Sequence, residues 1–310
     1  MKKTFIFIVL MGLGISNTSC GQAGKTAPVA ESVVKEFKYP AVPVTLTSPE
    51  DRADYLAEHY WTHFDFTDTT YIHMPEITEQ AYVNYIDVLK LIDRDKATGY
   101  MAQTMQKAEA NKLIFGYFED LAEKYLYDPN SPFQNDQLYI PVLESLVKSD
   151  YSSESDKIRY NALLILAKKN LPGSIALNFS IILNNNTKKE LNDIQSPYIL
   201  LFLNDIDCEN CLQTTTDLSN SDAINSYIKN KSLTVLSVYT GVDEEGWKHK
   251  VEKMPANWIN GFDSNQEIAN EELYDLKAMP TLYLLDKGKK VLLKDADLDE
   301  ILLFLQNSKN

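Results

Sequence analysis

Two cysteines, Cys208 and Cys211, stand just behind a continuous apolar run of strand length, Tyr198–Leu203 (YILLFL), and a helical stretch opens with them. An apolar run of that kind is expected in a strand buried on both faces. A C-x-x-C pair in the first turn of the helix after such a strand holds its first sulfur over backbone N–H groups that have no helical partner. Those groups and the helix dipole favour the thiolate, which is the reactive form. The spacing then predicts Cys208 as the attacking sulfur and Cys211, one helical turn on, as the resolving thiol. Zinc also uses C-x-x-C, but it needs four ligands. No second cysteine pair follows, and His249 is the only histidine in this half of the chain. No metal and no cofactor are expected.

The surrounding pattern alternates strands with helices. Ser174–Leu183 reads as a strand, Asn184-Asn185-Asn186 as a turn, and Lys188–Ile194 as the return. Ser232–Tyr239 is a second buried strand. Seventy residues after Cys208 comes Ala278-Met279-Pro280-Thr281. Thr281–Leu285 and Val291–Lys294, joined across Gly288, then read as a hairpin, and residues 297–306 as a closing amphipathic helix. Trp247 and Trp258 flank Met254-Pro255; core packing is the simpler reading than a substrate groove. No Gly-rich phosphate loop, serine elbow or EF-hand loop is present.

The first half is patterned differently. Ser48-Pro49-Glu50-Asp51 is a helix start: Ser as N-cap, Pro in the first turn, acids behind it. Helical periodicity continues through Thr78–Ile92, residues 97–127, Leu138–Val147 and Ser155–Lys168, rich in Tyr and Phe. His59 and His63 lie four apart with His73 beyond. They lack the Glu directly after the first histidine that a zinc-protease helix carries, and read as ordinary surface or half-buried side chains.

The first nineteen residues have the layout of an export signal: Lys2 and Lys3, then an apolar stretch from Phe5 to Ile15, then small polar residues up to Cys20. Removing Lys2 and Lys3 takes the formal net charge from −14 to −16. Such a surface repels phosphates, so no nucleic acid is expected as a partner. Asn17-Thr18-Ser19-Cys20 resembles a loose Bacteroidetes-type lipobox, although Asn17 stands where Leu is usual. The resemblance implies a lipid on Cys20; the alternative is a plain secretory signal. Residues 20–48 then read as a flexible tether. No acidic run follows Cys20, which points to the periplasmic side of the cell envelope rather than the cell surface.

Residues 172–306 resemble the exported TlpA/ResA-type thioredoxin-like group, and residues around Tyr55–Trp61 and Phe64–Thr69 resemble the DUF5106 region found fused to it. The fold class expected is therefore α plus α/β: an all-α domain over 49–171, then a thioredoxin-like sandwich with a central mixed sheet over 172–310. The resemblance makes Ala278–Thr281 a cis-proline loop, with Met279, Pro280 and Thr281 docking a substrate strand. It implies a membrane-anchored thiol–disulfide oxidoreductase acting on protein disulfides of the envelope, with electrons from a membrane thiol relay. The chain departs from the group in having Asp207 where a Trp usually precedes the first cysteine, and Glu209-Asn210 between the two. These carboxylates should raise the thiol pKa and favour a reducing couple. An acid could instead accept the proton of Cys211. The competing expectation is a binding or scaffold module whose Cys208–Cys211 bond is only structural.

Overall fold

The computed structural model describes residues 35–308, so the expected export signal and the expected lipid site at Cys20 lie outside the described residues. Six helices come first: α1 (Pro49–His59), α2 (Thr78–Leu89), α3 (Arg94–Ala108), α4 (Lys112–Ala122), α5 (Asp136–Lys148) and α6 (Glu154–Ala167). Their starts follow local chemistry. Ser48, Asp93, Asn111, Asn135 and Ser153 each accept a backbone N–H from the first turn of the helix they precede. The predicted stretch 97–127 is in fact two helices broken at Asn111, which caps the second, with one π-helical turn at Glu123–Tyr127. The helices enclose an aromatic core in which Trp61 packs edge-on against Phe64, Phe118 and Tyr85.

Strands and helices then alternate: β1 (Ser180–Leu183), β2 (Lys188–Glu190), β3 (Tyr198–Asn204), α7 (Glu209–Asn220), α8 (Asp222–Lys229), β4 (Leu233–Tyr239), α9 (Glu244–Val251), β5 (Ile259–Phe262), α10 (Glu267–Asn270), β6 (Thr281–Asp286), β7 (Val291–Lys294) and α11 (Leu298–Asn307). Among the described residues the strands form a seven-stranded mixed sheet in the order β2-β1-β5-β4-β3-β6-β7. β3 runs parallel to β4 and antiparallel to β6. Its side chains alternate between two cores. Ile199, Leu201 and Leu203 face Phe179, Tyr274 and Tyr283 on one side; Leu200 and Phe202 face Leu218, Ile224 and Ile301 on the other. Burial on both faces explains the unbroken apolar run.

The strand expected over Ser174–Leu183 is shorter than its sequence suggested. Only Ser180–Leu183 joins the sheet, between β2 and β5, while Ile175 makes an isolated bridge to Lys290 of the β6–β7 turn. β5 was not foreseen. It has the sequence Ile-Asn-Gly-Phe and becomes a strand by lying between β4 and β1. Helices and sheet belong to one compact unit from Phe37 onward, and polar contacts join them. Asn170 donates to the Leu273 carbonyl at 2.8 Å, Arg94 donates to the Pro172 carbonyl at 3.0 Å, and Lys294 donates to the Lys169 carbonyl at 3.1 Å.

Candidate active site

β3 delivers the chain to the end of the sheet, and four residues later Cys208 caps α7. The Cys211 N–H donates to Cys208 Sγ at 3.0 Å. The two cysteines are joined in a disulfide with Cα atoms 5.2 Å apart. Cys211 is buried on the inner face of α7, whereas Cys208 is partly exposed. Leu212, next in sequence, leaves its side chain at the surface. The geometry has a chemical consequence. A sulfur that accepts a helix N-terminal N–H is stabilised as a thiolate once the bond is reduced.

Met279-Pro280-Thr281 comes to the same place from β6. The Met279–Pro280 peptide is cis, and the Met279 carbonyl oxygen lies 3.5 Å from Cys208 Sγ. Thr281 is buried and donates its hydroxyl to the Ala278 carbonyl at 2.7 Å, which closes the loop on itself. A cleft of about 520 Å³ opens beside Pro280, between Thr214 and Asp217 of α7, the α11 start at Asp297, and Pro129 and Gln134 of the helical region. The structure thus brings Cys208, Cys211, Met279 and Pro280 together, with Thr281 as the loop's internal fastener.

Asp207 and Glu209 are exposed on either side of Cys208. Asp207 donates its N–H to Asp205 Oδ1 at 3.0 Å, so the approach to the helix is a tight Asx turn. Sequence reasoning missed the cation that meets this turn. Lys250 of α9 donates to the carbonyls of Asp205 and Ile206 at 3.2 and 3.1 Å. Burial pushes the Lys250 ammonium below the ordinary lysine range, and the charges of Asp205 and Asp207 oppose that shift. The carboxylates read as acting alone on Cys208 therefore share their loop with a positive charge.

Sequence reasoning also missed a buried ion-pair cluster behind the proline loop. Lys277, three residues before Pro280, lies 3.0 Å from Asp275 Oδ2 and 3.0 Å from Asp136 Oδ1 in the first turn of α5. Asp136 Oδ2 pairs in turn with Lys294 at 2.6 Å. Burial works to raise the Asp136 pKa, but Lys294 and Lys277 outweigh it and hold the carboxyl below its usual range. Lys277 is held above the ordinary lysine range: burial works against the ammonium, and Asp136 and Asp275 more than offset it. Asp295, at the edge of the same cluster, is pushed up to about 6 by burial and by the charge of Asp136. No local motif marks these residues, because Asp136 and Lys277 are 141 positions apart.

Trp247 and Trp258 are buried. Trp247 stacks on Phe262 and Trp258 meets Phe202 edge-on, so both belong to the core. His59 stacks on Tyr55, with its ring nitrogen 3.0 Å from the Tyr55 carbonyl. Among the described residues no three His, Cys, Asp or Glu side chains converge in a way that could hold a metal ion.

The chain matches two family models: a domain of unknown function, DUF5106, over residues 16–170, and a thioredoxin-like family over residues 196–291. Among solved structures it is similar to a thioredoxin-like protein from Bacteroides caccae ATCC 43185. That match has 43% identity and a TM-score of 0.84, and covers 88% of this chain and 99% of that one. It is also similar to the C-terminal domain of an uncharacterized protein from Bacteroides fragilis NCTC 9343, at 41% identity and a TM-score of 0.44, over 44% of this chain and 98% of that one. A domain of a possible thiol-disulfide isomerase from Cytophaga hutchinsonii ATCC 33406 matches at 29% identity and a TM-score of 0.39, over 46% of this chain and 97% of that one. No curated protein matches. With a mixed sheet, a C-x-x-C disulfide capping the helix after β3 and these two family matches, the chain belongs to the thioredoxin-like proteins that carry an N-terminal DUF5106 region.

Proposed function

We propose that the protein is a lipid-anchored thiol–disulfide oxidoreductase that reduces disulfides of exported proteins. The observation that carries this reading is the position of Cys208. The residue is partly exposed, and its sulfur accepts the Cys211 N–H and lies 3.5 Å from the Met279 carbonyl oxygen, while Cys211 is buried behind it. In the reduced protein the Cys208 thiolate attacks one sulfur of the substrate disulfide. A mixed disulfide forms and one substrate thiolate leaves. Cys211, deprotonated, then attacks Cys208 Sγ, which restores the Cys208–Cys211 bond and releases the second substrate thiolate. Two electrons pass to the substrate, whose two sulfurs take up the protons lost by the cysteines. Met279, Pro280 and Thr281 serve to dock the substrate strand beside Cys208.

A membrane thiol relay returns the electrons in this reading. The lipid on Cys20 holds the protein to the envelope, facing the periplasm. A purely structural disulfide would favour a binding module instead, and the exposure of Cys208 beside the proline loop speaks for exchange. The test is the midpoint potential of the pair in the full chain, equilibrated in graded thiol/disulfide buffers and read by mass after alkylation. A value near ~−270 mV with rapid exchange supports a reductase. A pair that stays oxidised below ~−300 mV, or exchanges only after unfolding, overturns it.

A further inference from the structure

We propose that Asp136, in the helical region, is a positioning residue for the proline loop and acts on it through Lys277. This deepens the redox reading above and rests on it. The loop is held from two directions. On the inside, the Thr281 hydroxyl ties back to the Ala278 carbonyl at 2.7 Å, which closes Ala278–Thr281 into one unit. On the outside, Lys277 is the residue directly before that unit, and its ammonium is anchored to Asp136 and Asp275, each at 3.0 Å. The Lys277 N–H also donates to Asp275 Oδ1 at 2.9 Å, which fixes its backbone as well as its side chain. The Tyr127 ring lies 4.8 Å from the same ammonium.

Asp275 is local to the loop, but Asp136 and Tyr127 are not. They come from the helical half, so the loop's outer anchor is supplied by that half. Asp136 is itself pinned, because its second oxygen pairs with Lys294 of β7. The helical region thus provides one wall of the cleft beside Pro280, through Pro129 and Gln134, and the anchor that orients the loop in it. Displacing that anchor should disturb a protein strand that must pair with the loop backbone. A small disulfide, which needs only the Cys208 sulfur, should be unaffected.

The test compares K277M and D136N with T104V in the full chain. T104V removes the buried Thr104 hydroxyl, which donates to the Tyr85 hydroxyl at 3.1 Å in the helical core, and leaves Asp136 and both its lysines in place, so it controls for simple destabilisation. Hydrogen exchange of the 278–282 amides in the oxidised protein is expected to speed up by about tenfold in K277M and D136N and to stay unchanged in T104V. With insulin as protein disulfide, KM is expected to rise about fivefold in the same two variants, with kcat and the rate towards a small aromatic disulfide unchanged. D136E should recover part of the loss. Exchange and KM that are unchanged, or that change equally in all three variants, overturn the proposal. Loop exchange that speeds up as expected in the two variants, while the wild-type protein reduces neither disulfide, overturns the redox reading alone.

Discussion

The electrostatics around Cys208 are set by opposed charges on one short loop. Asp207 and Glu209 are exposed, so each acts on the sulfur through water. Asp207→Asn with Glu209→Gln should lower the Cys208 thiol pKa in the reduced protein, read from the pH dependence of its alkylation rate. An unchanged profile would mean that Lys250, not the carboxylates, governs the sulfur. The two acids were legible because they adjoin the motif. Lys250 was not, since it reaches Asp205 and Ile206 only after the β4–α9 crossover folds back.

Elements divide into those specified locally and those made by their neighbours. α1 was readable from Ser48 and Pro49, and the side-chain cap is present at 3.0 Å. α8 has a local cap too: Ser221 both ends α7 and accepts the Ile224 N–H. β5 had none. A Cβ on Gly261 would sit 2.6 Å from the Ile181 side chain, so the glycine is there to let β1 approach. The helix that follows β5 depends on Asp263, which is fully buried. Its two oxygens accept the N–H groups of Glu267 and Ile268 at 2.9 and 2.8 Å. Asp263→Ala leaves both donors buried and should cost about 2 kcal/mol in urea unfolding. Asp263→Asn should recover little of this, because its amide donor would face one of those N–H groups.

For the whole molecule, the junction between helices and sheet sets a pH dependence. Asp295 is raised from its ordinary value to about 6 by burial and the Asp136 charge. The folded state therefore holds this proton more tightly than the unfolded chain. Its contribution is most favourable below the ordinary Asp range and is lost as pH rises from about 4 through 6, by roughly 3 kcal/mol. Asp136 has the opposite sign: lowered by Lys294 and Lys277, it stabilises at neutral pH and loses that effect as pH falls through its folded value. Asp295→Asn should thus stabilise the protein at pH 8 and converge on the wild type near pH 4 in thermal melts. A constant offset across that range would sink the assignment. Asn suits the site because the backbone there has φ 53°, a left-handed conformation that Asn tolerates.

The C-x-x-C pair, the buried β3 and β4, the β6–β7 hairpin and the helical first half were determined by the sequence itself. Each rests on short-range pattern: apolar runs of strand length, caps, a glycine turn, two sulfurs one helical turn apart. Only the tertiary structure decided what surrounds the sulfurs. Family resemblance, not local pattern, brought Met279 to Cys208 across 71 residues, and nothing in the sequence brought Asp136 to Lys277 across 141. A buried ion pair leaves no local periodicity. Its members look like any surface acid and lysine until packing removes the water around them and makes each the other's required partner.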